Sequence, residues 1–253
     1  MKEKSKNLIK ELTGSKTAKN GFNNEIRVAR LLNINGNPLR EWIMKRDEDF
    51  KKNLTSSKNT GTTKKDVLLS NDLLEKGIQA KLVSNSKSGF NQVDRGWVNR
   101  FINGLQKIGV ETPQKIIHLL KLFDGEEKNT LGTKSVKINK MSELDQKYLL
   151  SWFTEHKQAI VEFVLTGNDK QLSYVIISVK NGVNIEDYPF TIDEYVKFYG
   201  DGNVEITKRG CLQIGKIKLQ RKGGDGGRET ANQLQFKINP LSIIKDGNKQ
   251  IVL

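Results

Sequence analysis

The sequence predicts an α/β or α+β protein, a mixed central sheet flanked by helices. Three observations point there: runs with strand alternation recur between Asp66 and Ile238, segments with helical spacing interleave with them, and no internal repeat or long low-complexity linker interrupts the chain. At 253 residues, 36% of them apolar, the chain is long enough for one large domain with its own core. We read it as a single domain over 1–253, with a core over about 14–100, a helical middle over about 101–200 and a C-terminal hairpin over about 204–240.

Residues 1–12 are charged and sparsely apolar, which reads as a short helix at most. Phe22, Ile26, Ala29 and Leu32 recur at helical spacing, so a helix is expected from near Asn23 with that stripe toward a core. Lys45 to Lys65 is rich in Lys, Asp, Asn, Ser and Thr and reads as a mobile, solvated stretch. Asp66-Val67-Leu68-Leu69 is a short strand. After the Asn71-Asp72 turn, Ile78, Ala80 and Leu82 alternate with Gln79 and Lys81, one set on each face of a second strand. Ile116, Leu119, Leu120 and Phe123 mark one helix; Leu144, Tyr148, Leu149 and Trp152 mark another, capped by Ser142. Leu172 to Val179 reads as a central strand. Thr191-Ile192-Asp193-Glu194 is a capping box opening a helix that Gly200 ends. In the hairpin region, Leu212 and Ile214 alternate, Gly215 breaks the phase as a bulge would, Ile217 and Leu219 resume, and Leu234, Phe236 and Ile238 return.

Forty-three Lys and Arg against 29 acidic residues leave a net charge of +14, and the pI is near 9.7. Such a surplus speaks of a polyanionic partner, and phosphate backbones are the commonest. No apolar run approaches the ~18 residues of a membrane span, and Met1 to Lys6 leads into a mixed segment rather than a secretory apolar stretch. A cytoplasmic protein without a membrane partner is therefore expected. One cysteine, Cys211, excludes disulfide scaffolds and thiolate zinc sites, and two histidines, His118 and His156, leave little room for His-rich metal centres or a His-centred triad.

Three polar groups stand on the two neighbouring strands: Asp66, then Gln79 and Lys81. Phosphodiester hydrolysis needs oxygen ligands for a divalent ion, an activated water and positive charge near the phosphorus. Asp66 offers a carboxylate to Mg²⁺, Gln79 an amide oxygen and Ala80 its carbonyl. Lys81 emerges on the face of Gln79, and Glu25 on the first helix offers a further carboxylate, suited to a second metal. The plain alternative is that Gln79 and Lys81 are a strand's solvent face and Asp66 a turn residue.

Two loops extend this picture. Ser84 to Trp97 follows the second strand with small polar residues. There Phe90 is either an apolar wedge for a base step or a core anchor, Trp97 reads as a core anchor, and Asn91, Gln92 and Arg95 can reach bases or phosphates. Gln220 to Asn232 carries four glycines that permit close approach, with Arg221, Lys222, Asp225, Arg228, Glu229 and Asn232 as polar groups. Arg pairs with guanine O6 and N7, while Asp or Glu accepts from cytosine N4, so this loop has the chemistry to read G·C pairs; a plain turn is the other reading. Ser15, Lys16, Thr17 and Lys19 lie in a Gly-bounded segment before a helix, either a phosphate clamp or a solvated loop.

Three blocks, Gly14 to Glu25 (GSKTAKNGFNNE), Gln79 to Asp94 (QAKLVSNSKSGFNQVD) and Gln220 to Ile238 (QRKGGDGGRETANQLQFKI), resemble the HinP/MspI-type restriction endonucleases, most of all those that cut the tetranucleotide GCGC. The likeness does not extend across about 31–63. It implies a PD-(D/E)xK restriction-endonuclease-like core and Mg²⁺-dependent cleavage of double-stranded DNA to 5′-phosphate ends, with Mn²⁺ an expected substitute. The family's Asp…Gln-x-Lys signature falls on Asp66, Gln79 and Lys81, although Lys65 stands where such nucleases often carry proline. The wedge-and-probe segment falls on Phe90, Gln92 and Arg95, the last of which is Lys in the GCGC cutters. A type II enzyme acting as monomer or homodimer is thus expected, alongside a cytosine methyltransferase that protects the host. The rivals are a structure-selective nuclease on the same core and a non-catalytic DNA- or RNA-binding protein.

Overall fold

The computed structural model describes residues 19–61, 63–84, 89–127, 134–224 and 228–246. They group into two compact units: Met1–Gly89 with Asp169–Asp193 and Ile244–Leu253, and Phe90–Asn168 with Glu194–Ile243.

The first unit holds helix α1 (19–32), α2 (Pro38–Arg46) and strands β1 (Thr55–Lys58), β2 (Val67–Ser70), β3 (Glu75–Ser84), β5 (Leu172–Asn181) and β6 (Asn184–Thr191). The sheet order is β1-β2-β3-β5-β6, and only β3 and β5 run parallel. β5 is buried along Tyr174 to Val179, as a run of β-branched and aromatic residues in an inner strand should be. Val28, Ala29 and Leu32 of α1 and Leu39 and Ile43 of α2 pack on Val67, Leu69, Ile78, Tyr174 and Ile176.

One expectation fails here and another holds only in part. The inner stripe of α1 is Asn24, Val28, Ala29 and Leu32, while Phe22 is exposed and Ile26 only partly covered. The helix phase is turned because Asn24 seats its amide on Ser178 Oγ at 3.1 Å, and Arg27 pairs with Asp187 beside it. The helix is also already formed at 19. Most of the described residues of Lys45 to Lys65 are exposed, as expected of a solvated stretch, but regular elements run through it. It contains the end of α2, a 3₁₀ turn at Glu48–Phe50 with Phe50 buried, and β1. Its buried carboxylate is satisfied by distant partners: Asp47 accepts from Tyr174 Oη at 2.5 Å and from Lys76 Nζ at 2.7 Å.

The second unit holds β4 (Asn91–Gly96), α3 (Val98–Gln106), α4 (Gln114–Asp124), α5 (Glu143–Glu155), α6 (Lys157–Thr166), most of α7 (Ile192–Gly200), β7 (Val204–Ile206), β8 (Leu212–Ile214), β9 (Ile217–Arg221) and β10 (Leu234–Ile238); α8 (Pro240–Asp246) begins within it. Its antiparallel sheet runs β4-β10-β9-β8-β7. Leu212, Ile214, Ile217, Leu219, Leu234, Phe236 and Ile238 are buried, with Phe101 5.1 Å from Phe236 between ring centres. α4 buries the stripe expected of it, and Ser142 caps α5 through Asp145 N–H. α5 buries Leu149, Trp152 and Phe153 instead of Leu144 and Tyr148, both of which are exposed. Gly215 makes a two-residue turn rather than a bulge: Ile214 pairs with Ile217 across it, and its φ is +55°. A Cβ there would stand 2.6 Å from the Tyr199 carbonyl, so glycine is required twice over.

Among the described residues no helix is long and apolar enough to cross a membrane. Residues 1–18 and 225–227 lie outside the described residues, and with them the expected N-terminal helix, Ser15, Lys16, Thr17 and Asp225.

Candidate active site

β3 outlasts its neighbour. Pairing with β2 covers only Glu75 to Ile78, so Gln79 onward has an open edge on that side. The chain entering β2 fills it. Asp66 donates its N–H to the Ile78 carbonyl at 2.8 Å and accepts the Ala80 N–H on Oδ2 at 2.8 Å. A strand residue turns its N–H and C=O to the same side, so the Ala80 carbonyl opens toward Asp66 as well.

Asn59 holds the approach to Asp66. Its side-chain amide donates to Lys65 O at 2.8 Å and Thr63 Oγ1 at 3.1 Å, while its N–H bonds Asp66 O at 2.9 Å. Lys65 lies across Gly77, ion-pairs with Asp169 at 3.7 Å and donates to Gln171 Oε1. A Cβ on Gly77 would collide with the Lys65 methylenes. Gly77→Ala is therefore expected to push the Lys65-Asp66 segment out of register and, if Asp66 is catalytic, to lower cleavage by ~10²-fold with little loss of Tm, read by kinetics beside thermal unfolding.

Gln79 is nearly sealed from solvent. Its amide nitrogen donates weakly to Lys64 O at 3.4 Å, and its Oε1 is buried with no hydrogen-bond partner. An orphaned amide oxygen costs about 1–3 kcal/mol, so its retention calls for a ligand. A divalent ion fits. The donor set of one carboxylate, one amide oxygen and one backbone carbonyl is all oxygen, which suits hard cations. Among the described residues no three His, Cys, Asp or Glu side chains gather as a metal site, so neutral oxygens must complete any site here.

Electrostatics match this arrangement. Burial lifts the Asp66 carboxyl to about 6; the Ala80 N–H, Lys81 and Lys58 oppose that, and Glu25 adds to it. Burial lowers the Lys81 ammonium to about 8, with Asp66 opposing and Lys64 assisting. The structure thus brings Asp66, Gln79, Ala80 and Lys81 together and sets Glu25 within electrostatic reach of Asp66. Glu25 is already engaged, however: Lys58 stands 3.0 Å from its Oε2, and that ammonium also covers the Phe22 ring at 4.1 Å. Lys58 escaped sequence reasoning because it lies in the stretch that reads as solvated.

The second unit presents another polar face. On β9, Lys218 and Gln220 project opposite to the buried Ile217 and Leu219, and Lys222 follows the end of the strand; Gln235 and Lys237 of β10 stand beside them, and Arg95 of β4 pairs with Gln235. Lys222 and Ala231 close the neck of the 222–233 loop, through Lys222 N–H to Gln233 O at 2.8 Å and Gly223 N–H to Ala231 O at 3.0 Å. The Lys222 ammonium is lowered by partial burial and by Arg95 and Arg228, a crowding of like charges that a polyanion relieves. Arg228 and Glu229 are exposed. Phe90 is half exposed, with Lys218 Nζ 5.8 Å above its ring, so the core-anchor reading does not describe it; Trp97 is partly buried at the start of α3, and Asn91 partly buried at the start of β4. Lys19 is exposed at the start of the described chain.

Arg221 and Asn232 are not brought onto that face. Strand parity turns Arg221 the other way, and its guanidinium donates to Asp124 O and Asn232 Oδ1, each at 2.6 Å. Asn232 in turn donates to Gly125 O at 3.0 Å, so both tie the loop to the end of α4. Gln220 and Gln235 were missed; they sit in phase with Lys222 on the strands flanking the loop, a signal present in the sequence.

Known proteins agree with this architecture. The family described as R.HinP1I restriction endonuclease matches residues 54–244. The solved structure of restriction endonuclease MspI with its cognate DNA is similar in fold, with a TM-score of 0.52 at 14% identity over 82% of this chain and 81% of that one. No curated protein sequence matches the chain. A family match across most of the chain, on a mixed-sheet fold shared with MspI, makes this protein a member of the R.HinP1I restriction endonuclease family, a type II site-specific deoxyribonuclease.

Proposed function

We propose that the enzyme binds double-stranded DNA and hydrolyses it at a short G·C-rich palindrome, GCGC, with Mg²⁺ as cofactor and Mn²⁺ as a substitute, leaving 5′-phosphate ends. The observation that carries the metal-dependent reading is the buried, unpartnered Gln79 Oε1 on the residue preceding Ala80, whose N–H holds the Asp66 carboxylate. A divalent ion held by these three oxygens would supply an acidified water and positive charge against the scissile phosphate. Asp66 provides the anionic ligand, and its Oδ2 is kept in place by Ala80 N–H. Lys81, on the Gln79 face, orients the attacking water and meets charge developing on the phosphate oxygens; its position near 8 keeps it cationic yet able to exchange a proton close to neutral pH. Glu25 adds negative charge near Asp66 and takes a second cation only if Lys58 leaves it.

Recognition falls to the second unit's polar face. Lys222, Arg95 and Arg228 neutralise phosphates or pair with guanine, Gln92 reaches a base edge, Asp225 and Glu229 accept from cytosine amino groups, and the exposed Phe90 enters a base step. Lys19, with Ser15, Lys16 and Thr17 before it, adds phosphate contacts. Arg228→Ala is expected to cost ~1–3 kcal/mol of preference for the correct guanine, measured by comparing duplexes that differ at one base pair. A cytoplasmic monomer or homodimer acting beside a cytosine methyltransferase of the same specificity completes the reading, because host DNA carrying the site must be protected.

A digest of GCGC-containing and GCGC-free plasmids with Mg²⁺, its ends sequenced, tests this. Cuts confined to GCGC support it. Cuts indifferent to sequence would favour a structure-selective nuclease, and a metal-independent gel shift without cleavage would favour a binding protein.

A further inference from the structure

Three glutamines form a chain across three strands of the second unit. Gln220 of β9 donates its amide to Gln235 Oε1 at 3.1 Å, and Gln235 of β10 donates to Gln92 Oε1 of β4 at 2.7 Å. Gln235 is 9% exposed, with Gln220 and Arg95 as its cross-strand partners, whereas Gln92 is exposed. Arg95 of β4 and Arg228 lie within electrostatic reach of Lys222, just past the end of β9.

A primary amide has one accepting end and one donating end. A central amide that accepts on one side and donates on the other therefore couples its neighbours. If Gln220 donates inward, Gln92 must accept inward, and their outward ends are opposite: a carbonyl at Gln220 and an amino group at Gln92. Reversing the chain reverses both ends together, and the two never match. Base edges are distinguished by such donor and acceptor order. We infer that Gln235 is a positioning residue for specificity, which touches no base but fixes complementary outward groups on Gln220 and Gln92. The inference rests on the proposed DNA-reading role of this face and adds Gln220 and Gln235 to it.

The test is binding and cleavage of a GCGC duplex and of duplexes substituted at single base pairs, using the full chain. Gln235→Met keeps the volume and removes the coupling. Gln235→Glu keeps the shape but accepts from both sides, so both neighbours turn their carbonyls outward. Each is expected to reduce discrimination by ~10-fold or more while leaving the weak binding to unrelated duplex within about twofold for the uncharged Met variant. The Glu variant is further expected to shift which substituted duplex is tolerated. Unchanged discrimination in both variants would overturn the inference. If Arg228→Ala and Gln92→Ala also leave discrimination unchanged, the recognition face itself is misassigned; if those two relax it and the Gln235 variants do not, only the coupling is wrong.

Discussion

Lys81→Ala is expected to reduce cleavage by ~10²–10⁴-fold while retaining specific binding to the duplex, because one preorganised cation aimed at developing phosphate charge is worth that much in a water-poor site. The ammonium is partly buried beside Asp66, and burial has already drawn it down to about 8. Removing it deletes a charge that the ground-state complex barely uses, so the loss should fall on the turnover rate. Single-turnover kinetics alongside a gel shift with Ca²⁺ separate the two quantities. Brisk cleavage by this variant would remove Lys81 from the mechanism.

Asp66→Asn is expected to abolish cleavage and to stabilise the metal-free protein at pH 7 to 8. The sign follows from the carboxyl's environment. Its folded-state value of about 6 lies above the ordinary 3.8 because burial disfavours the anion. Between those values the folded chain holds a proton that the unfolded chain releases, so stability falls as pH rises through that window. Below it the wild type and the variant should be equal in this respect. Above it the variant should gain roughly 1–3 kcal/mol, seen as a higher Tm without metal. Affinity for Mg²⁺ in the wild type should fall about tenfold per pH unit below 6, since proton and ion compete for one carboxylate. A variant no more stable at pH 8 than at pH 4, relative to wild type, would contradict the buried-anion account.

The β2–β3 strand pair was legible because period-2 alternation is a strict rule: once Ile78 faces the core, Gln79 and Lys81 must share the other face. Helix α4, the Ser142 cap and the β9–β10 hairpin were legible for equally local reasons. What failed depended on tertiary partners. Asn24 lies on the buried side of α1 only because Ser178 waits there, so counting apolar residues put Phe22 inside. The elements within Lys45 to Lys65 form only because Asp47 finds Tyr174 and Lys76 and the β1 backbone finds β2. Lys58 became visible beside Glu25 only through that order. Arg221 differs from Lys222 by one step of strand parity, which composition cannot distinguish but register does. The glutamine chain needs cross-strand register on both sides of β10, information that no single segment carries.

The proposed chemistry requires one divalent ion between the Asp66 carboxylate, the Gln79 amide oxygen and the Ala80 carbonyl. Anomalous diffraction from Mn²⁺ in crystals of the Lys81→Ala enzyme with a GCGC duplex measures it directly. A peak within about 2.0–2.4 Å of all three oxygens, facing a backbone phosphate, is expected. A fully occupied ion elsewhere, with Gln79 Oε1 still unliganded, would contradict it.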